Sequence, residues 1–220
     1  MRLAYHLPVS GKLVPKVILE GTRLTHKTDL AVALNRHPRI VGPRKHPYPS
    51  PLVSAEWCGF TNYPWGRGLI NYEPHEADRA MEAYATWTRL FELLPYYSWI
   101  VDRFHLSTQA AQRRAGRAVP DFDWLEDRLR PLGFRTVLCV RREDTFTSAR
   151  AGRVAVSGNP NQYDDLDAFI VEQRLLRELA GASTLPVLEL DTSDDDVAGA
   201  ADRIADWLEA TGGLTLPDGL

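Results

Sequence analysis

Lys27 and Thr28 are the residues of this sequence whose type and spacing could most directly do chemistry. Gly21 is followed by four residues (Thr22, Arg23, Leu24, Thr25) and then by His26-Lys27-Thr28. That is the spacing of the phosphate-binding loop G-x-x-x-x-G-K-[ST], with histidine at the second glycine. In such a loop, backbone N–H groups and a helix N-terminus surround an anion, and the lysine adds a mobile positive charge. Thr28 would offer its hydroxyl to the magnesium ion that accompanies a nucleoside triphosphate. Glycine stands at the sixth position because the chain passes close to phosphate, often at positive φ. Histidine tolerates that region better than most residues, so His26 strains the loop without excluding it. A plain strand–turn–helix with a surface Lys-Thr would satisfy the same pattern.

The elements that must position these residues can be read along the chain. Val17-Ile18-Leu19 is a short buried strand, and Leu30, Ala31 and Leu34 give a first helix from about Thr28 to Asn35. Met1 to Pro15 allows a short strand through Leu3, Tyr5 and Leu7, followed by a turn. Arg39-Ile40-Val41-Gly42 reads as a second strand. From Pro43 to Pro74, six prolines and the aromatics Trp57, Phe60, Tyr63 and Trp65 make an irregular segment. A loop of that length in a compact domain is usually functional or mobile, and the bland reading is a solvated loop with its aromatics packed on the body. His75 to Leu94 has the four-and-three spacing of a helix (Ala77, Met81, Tyr84, Thr88, Phe91).

Ser98-Trp99-Ile100-Val101 is a third strand, and a helix with Ser107, Gln109 and Gln112 follows. A short helix spans Asp121 to Leu129, and Thr136 to Val140 is the fourth strand. A lid-like segment, residues 141–160, carries Arg141, Arg142, Arg150 and Arg153 on an expected helix. Leu166 to Leu176 is amphipathic, Leu185 to Leu190 is the fifth strand, and Ser193 with the aspartates after it suits a helix start. The expectation is one domain over 1–220, an α/β fold with a five-stranded parallel sheet and helices on both faces.

In a parallel sheet the strand ends lie on one edge, where ligands bind. Lys27 follows the first strand, Asp102-Arg103 ends the third, and an arginine-bearing segment follows the fourth. Phosphoryl transfer uses such a set: metal and lysine on the donor, an acid near the metal or acceptor hydroxyl, and arginines over the transferring group. The bland reading of Asp102-Arg103 is a surface ion pair, and that of Arg150 and Arg153 a solvated helix face.

The order Glu20-Gly21-x4-His26-Lys27-Thr28, then Asp102-Arg103-Phe104-x-x-Ser107-x-x-Ala110, then Arg150-x-x-Arg153, resembles the thymidylate kinase and deoxynucleoside kinase group. The resemblance runs from about Lys16 to Leu208. It implies a P-loop nucleoside triphosphate hydrolase fold, ATP and Mg2+ as cofactors, and a homodimer. Carried over by position, Gly21 through Thr28 and Asp191 would bind the nucleotide, with Lys27 on the β- and γ-phosphates. Thr28 and Asp102 would serve the metal. Arg103, Arg44 and Ser107 would bind the acceptor, and Lys27, Asp102, Arg103, Arg150 and Arg153 would be catalytic. The sequence departs from that pattern at His26, at Arg23, where thymidylate kinases carry an aspartate, and throughout 43–74.

Composition sets bounds on partners. Lys and Arg number 26 against 29 Asp and Glu, a net charge of -3, whereas a general nucleic-acid binder usually carries a strong basic excess. No apolar run is long enough to span a bilayer, and no signal-peptide pattern opens the chain, so a cytoplasmic protein without nucleic-acid or membrane partners is expected. Cys58 and Cys139 are too few for a disulfide framework or metal site. Three functions remain open. They are a kinase for a nucleoside, nucleotide or specialised metabolite, a non-catalytic nucleotide-binding module, and a P-loop sulfotransferase-like enzyme needing His46 or His75.

Overall fold

A computed structural model describes residues 13–42, 50–55 and 68–215. The strands are β1 (Lys16–Glu20), β2 (Leu52–Ser54), β3 (Trp99–Asp102), β4 (Phe134–Val140) and β5 (Val187–Asp191). All pair in parallel, in the order β2-β3-β1-β4-β5. The helices are α1 (Lys27–Leu34), α2 (Pro38–Val41), α3 (Ala77–Leu93), α4 (His105–Arg114), α5 (Asp123–Leu129), α6 (Phe146–Val154), α7 (Leu166–Ala182) and α8 (Val197–Ala210).

Period-two alternation sends successive strand residues to opposite faces. Val17 and Leu19 of β1, Val137 and Cys139 of β4 and Leu190 of β5 pack under α1 and α8. Ile18, Val101 and Phe134 face α3 and α5, while Leu138 and Val140 face α4 and α7. Both faces are therefore covered, which is why the strands read as continuous apolar runs. Burying each such side chain contributes about 1.5–3 kcal/mol. The chain leaves central β1 for β2 on one side and crosses later to β4 on the other. The crevice at the C-terminal end of β1 is thus a topological switch point.

Several sequence expectations need correction. Arg39 to Val41 is not a strand. Pro38 pre-sets helical φ at the first position, the His37 side chain accepts from the Arg39 N–H at 3.3 Å, and Gly42 ends the four-residue helix α2. The second strand lies inside the supposedly irregular segment, with Leu52 to Ser54 in register with Ile100 to Asp102. Leu52 is 45% exposed, which suits an edge strand. Ser193 does not cap the last helix, because Asp196 does, accepting from the Gly199 N–H at 2.9 Å. Arg141 and Arg142 precede the helix expected over 141–160, which covers only Phe146–Val154. Met1 to Lys12, Pro43 to Pro49 and Glu56 to Arg67 lie outside the described residues. The N-terminal strand, Arg44, His46, Trp57, Cys58, Phe60, Tyr63 and Trp65 fall there.

Candidate active site

The loop between β1 and α1 turns on Gly21, whose φ is +146°. A Cβ there would stand 2.5 Å from the Cys139 carbonyl oxygen, so only glycine lets the loop cross β4 this closely. Cys139 beneath it is wholly buried and its thiol is pushed up to about 12 by burial, which makes it an inert packing group. Leu24 and His26 also take left-handed φ, 69° and 56°. For Leu24 that is strained, and the surroundings hold it. Its side chain packs on the cluster of Phe146, Tyr163 and Phe169, and its carbonyl accepts from Arg141 Nε at 3.1 Å.

Lys27 opens α1 and is 7% exposed. Its ammonium folds back into the loop and donates to the Thr22 carbonyl at 2.6 Å and to Thr25 Oγ1 at 3.5 Å. The next residue reaches the neighbouring strand end, where Thr28 Oγ1 donates to Asp102 Oδ2 at 2.9 Å. Asp102 Oδ1 is buried and has no hydrogen-bond partner among the described residues. A hydroxyl and an orphaned carboxylate oxygen side by side make an all-oxygen pair, which fits a hard divalent cation such as magnesium.

His26 is the unusual part. Its Nδ1 lies 3.0 Å from Asp29 Oδ2 and its Nε2 2.8 Å from Asp195 Oδ1. A neutral imidazole has one N–H, so two carboxylate partners call for the imidazolium. The His26 pKa is accordingly raised, chiefly by the Asp29 bond, against the opposing effect of burial and with further help from Asp195. The same bond lowers Asp29. Burial works against ionised Asp195, but its bonds from His26 and Arg141 outweigh that and lower its pKa. Arg141 also donates to the Thr192 carbonyl at 2.9 Å, so the β1–α1 loop, the β4 end and the β5 end form one charged knot.

A stability test follows from the sign. A raised histidine contributes stability that is present below its ordinary value of 6.5 and is lost as pH rises through the raised value. Lys16, lowered by burial to about 8, acts oppositely, since folding favours its neutral form as pH rises from about 8 towards 10.5. The His26 effect is therefore read as the stability difference between wild type and His26→Gln in urea titrations. That difference is expected to shrink steadily from pH 6 upward, by no more than about 1 kcal/mol for a partly exposed pair. A constant difference would rule out the imidazolium.

Together these residues wall a cavity of about 800 Å³ that contains Arg23, Leu24, Thr25, His26, Lys27, Thr28 and Asp102 on the loop side. Opposite stand Ser148 and Arg153 of α6 and, from the turn after it, Gln162 and Tyr163, with Asp29 and Asp195 beside His26. Arg153 Nε donates to the Tyr163 hydroxyl at 3.3 Å. Other candidates from the sequence lie elsewhere. Arg150 is turned to the Tyr163 carbonyl and the Asp164 carboxylate. Asp191 is held by Ser193 and does not line the cavity. Gly21 and Thr22 do not line the cavity; Thr22 Oγ1 donates to Glu172 at 3.0 Å.

Arg103 is 4% exposed, pairs with Glu172 of α7 at 3.3 Å and is not among the residues that line the cavity. The Ser107 hydroxyl is taken by Glu20. The sequence does not single out Glu172, places Arg141 only among the arginines of the lid-like segment, and offers Asp195 only as one of a run of aspartates suited to a helix start. Asp29, in the first turn of α1 and three residues from His26, was the nearest to a legible signal.

No family model matches the chain, and no curated protein matches it. Solved structures do. The YorR protein from Bacillus subtilis, crystallised in complex with phosphorylated GDP, superposes with a TM-score of 0.59 at 14% identity, over 89% of this chain and 96% of that one. Thymidylate kinase from Candida albicans gives a TM-score of 0.49 at 12% identity, over 94% and 96% of the two chains. What the likeness and the parallel sheet establish is the fold, a P-loop kinase-like α/β architecture.

Proposed function

We propose that this protein is an ATP- and magnesium-dependent phosphotransferase acting on a small hydroxyl- or phosphate-bearing acceptor, nucleoside-like or a specialised metabolite. The observation that carries the proposal is the trio Lys27, Thr28 and Asp102, gathered from two adjacent strand ends at one cavity. The cavity volume of about 800 Å³ is in the range of small-molecule sites. Loop N–H groups and the start of α1 would receive the phosphates, and the Lys27 ammonium would exchange its loop carbonyl for phosphate oxygens. Thr28 and Asp102 would hold magnesium, which when bound supplies neutralisation of phosphate charge. Arg153, on the lid face of the cavity, would stabilise charge on the transferring group. Arg103 and Arg150 are already tied to Glu172 and Asp164, so their part is to brace the strand end and the lid.

Asp102→Asn tests the reading. Calorimetric titration with ATP is expected to show magnesium-dependent binding to the wild type. In the variant the magnesium dependence should fall about tenfold, since one charged oxygen contact is worth about 1.5–3 kcal/mol. A magnesium dependence in Asp102→Asn equal to that of the wild type would remove the metal role of Asp102.

One observation favours a second reading, a non-catalytic nucleotide-binding module. His26 fills the loop position where phosphate passes closest and is fastened to Asp29 and Asp195. Tight ATP binding without phosphate release or transfer across an acceptor screen would support that reading over the first.

A further inference from the structure

Arg150 and Arg153 stand three residues apart on α6, and so share one side of that helix. The short turn that follows, Pro160–Tyr163, meets both of them with its last residue. The Tyr163 carbonyl accepts from Arg150 Nε at 2.9 Å, and the adjoining Asp164 carboxylate takes Nη2 of the same guanidinium. At the other end of the residue, the Tyr163 hydroxyl accepts from Arg153 Nε at 3.3 Å. Arg153 and Tyr163 line the cavity of about 800 Å³, and Arg150 does not.

The tyrosine is the rigid member of this group. Tyr163 is 6% exposed, and its ring packs with Phe146 and Phe169 in a cluster that Leu24 of the β1–α1 loop also joins. Close packing around the ring fixes where its hydroxyl stands. Arg153 is exposed, and a long exposed side chain spreads over many rotamers unless something holds it. Among the described residues its one hydrogen bond is to that hydroxyl. The bond raises the Arg153 pKa, burial opposes the shift, and the Asp29 charge adds to it. A guanidinium has five N–H groups, so a bond at Nε leaves the four on Nη1 and Nη2 to offer to an anion.

We propose that Tyr163 is the positioning residue that selects Arg153 over Arg150 for the transferring phosphoryl group, by anchoring the Arg153 guanidinium at Nε in the cavity wall. This role rests on the phosphotransferase reading above. Donors fixed before charge develops cost no reorganisation when it does. A hydroxyl suits the task because it orients the cation without neutralising it. The Asp164 carboxylate does the opposite to Arg150.

Two ligands separate positioning from simple binding. ATP with magnesium is the ground state, and ADP with magnesium and aluminium fluoride mimics the group in transfer. In calorimetric titrations of the full chain, Tyr163→Phe is expected to weaken the fluoride complex about tenfold, the worth of one hydrogen bond to a charged group. Because the ring is kept, ATP affinity and the unfolding temperature should not move. Arg153→Ala should lose at least as much, and adding Tyr163→Phe to it should cost nothing further. Unchanged affinity of Tyr163→Phe for the fluoride complex overturns the role. So does an equal loss for ATP, or a further loss in the Arg153→Ala background. A wild type that binds ATP but holds the fluoride complex no more tightly than ADP also overturns it, and leaves the binding-module reading standing. A wild type that binds no ATP brings down the phosphotransferase reading, and this role with it.

Discussion

Lys27→Ala loses about 100-fold or more in affinity for ATP with magnesium, while its unfolding midpoint moves little. The size follows from the chemistry: a hydrogen bond between charged groups is worth about 1.5–3 kcal/mol, and the upper end of that range is about 100-fold. The ammonium is satisfied by the loop's own oxygens, Thr22 O at 2.6 Å and Thr25 Oγ1 at 3.5 Å. Removing it therefore weakens the loop as well as the anion site. Lys27→Met separates the two effects, since it keeps the apolar stem and drops only the charge. If Lys27→Met binds ATP as wild type does, the loop is not a phosphate site, and the phosphotransferase and binding-module readings both fall. The arginines Arg141 and Arg153 would then be structural cations of an α/β domain with another task.

Glu20→Ala is expected to destabilise the fold by at least about 3 kcal/mol, the largest stability effect of any single change near the site. Glu20 is fully buried at the end of β1. Its Oε1 accepts from the backbone N–H groups of Phe104, Leu106 and Ser107 at 3.0, 3.1 and 3.3 Å, and its Oε2 from the Ser107 hydroxyl. One carboxylate thus satisfies the orphan donors of the first turn of α4 and sits at the positive end of its dipole. Alanine would leave those donors buried and unpaired. Because Asp102 and Arg103 join β3 to that same turn, the variant should also loosen the strand end that carries Asp102. Urea unfolding measures the first effect. A loss below about 1 kcal/mol would mean that water replaces the carboxylate and that the cap carries little.

Local sequence was enough for the parts of the fold that depend on neighbours along the chain. Alternating and continuous apolar runs marked four of the strands, and three-and-four spacing marked α3, α7 and α8, because burial of one face acts within a few residues. Gly21 and the Lys27-Thr28 pair were legible for the same reason, since a turn residue and a helix start are local events. The failures were local competitions decided by detail. Arg39 to Val41 has the apolar look of a strand, yet Pro38 and the His37 cap make it helical. Leu52 to Ser54 has no pattern of its own and is a strand because the edge of β3 offers it partners.

What only the tertiary structure decided is how the charges are shared out. Arg150 and Arg153 are equivalent by sequence, but packing turns one to Asp164 and leaves the other facing the cavity. Glu172 becomes the buried partner of Thr22, Arg103 and Arg114 across separations of 150, 69 and 58 residues. Arg141, placed by sequence on a lid-like helix, lies at the end of β4 and grips the β1–α1 loop through the Leu24 carbonyl. Burying such groups is costly unless each finds a partner, so the partner is chosen by whatever the fold brings near. No pattern along the chain records that choice.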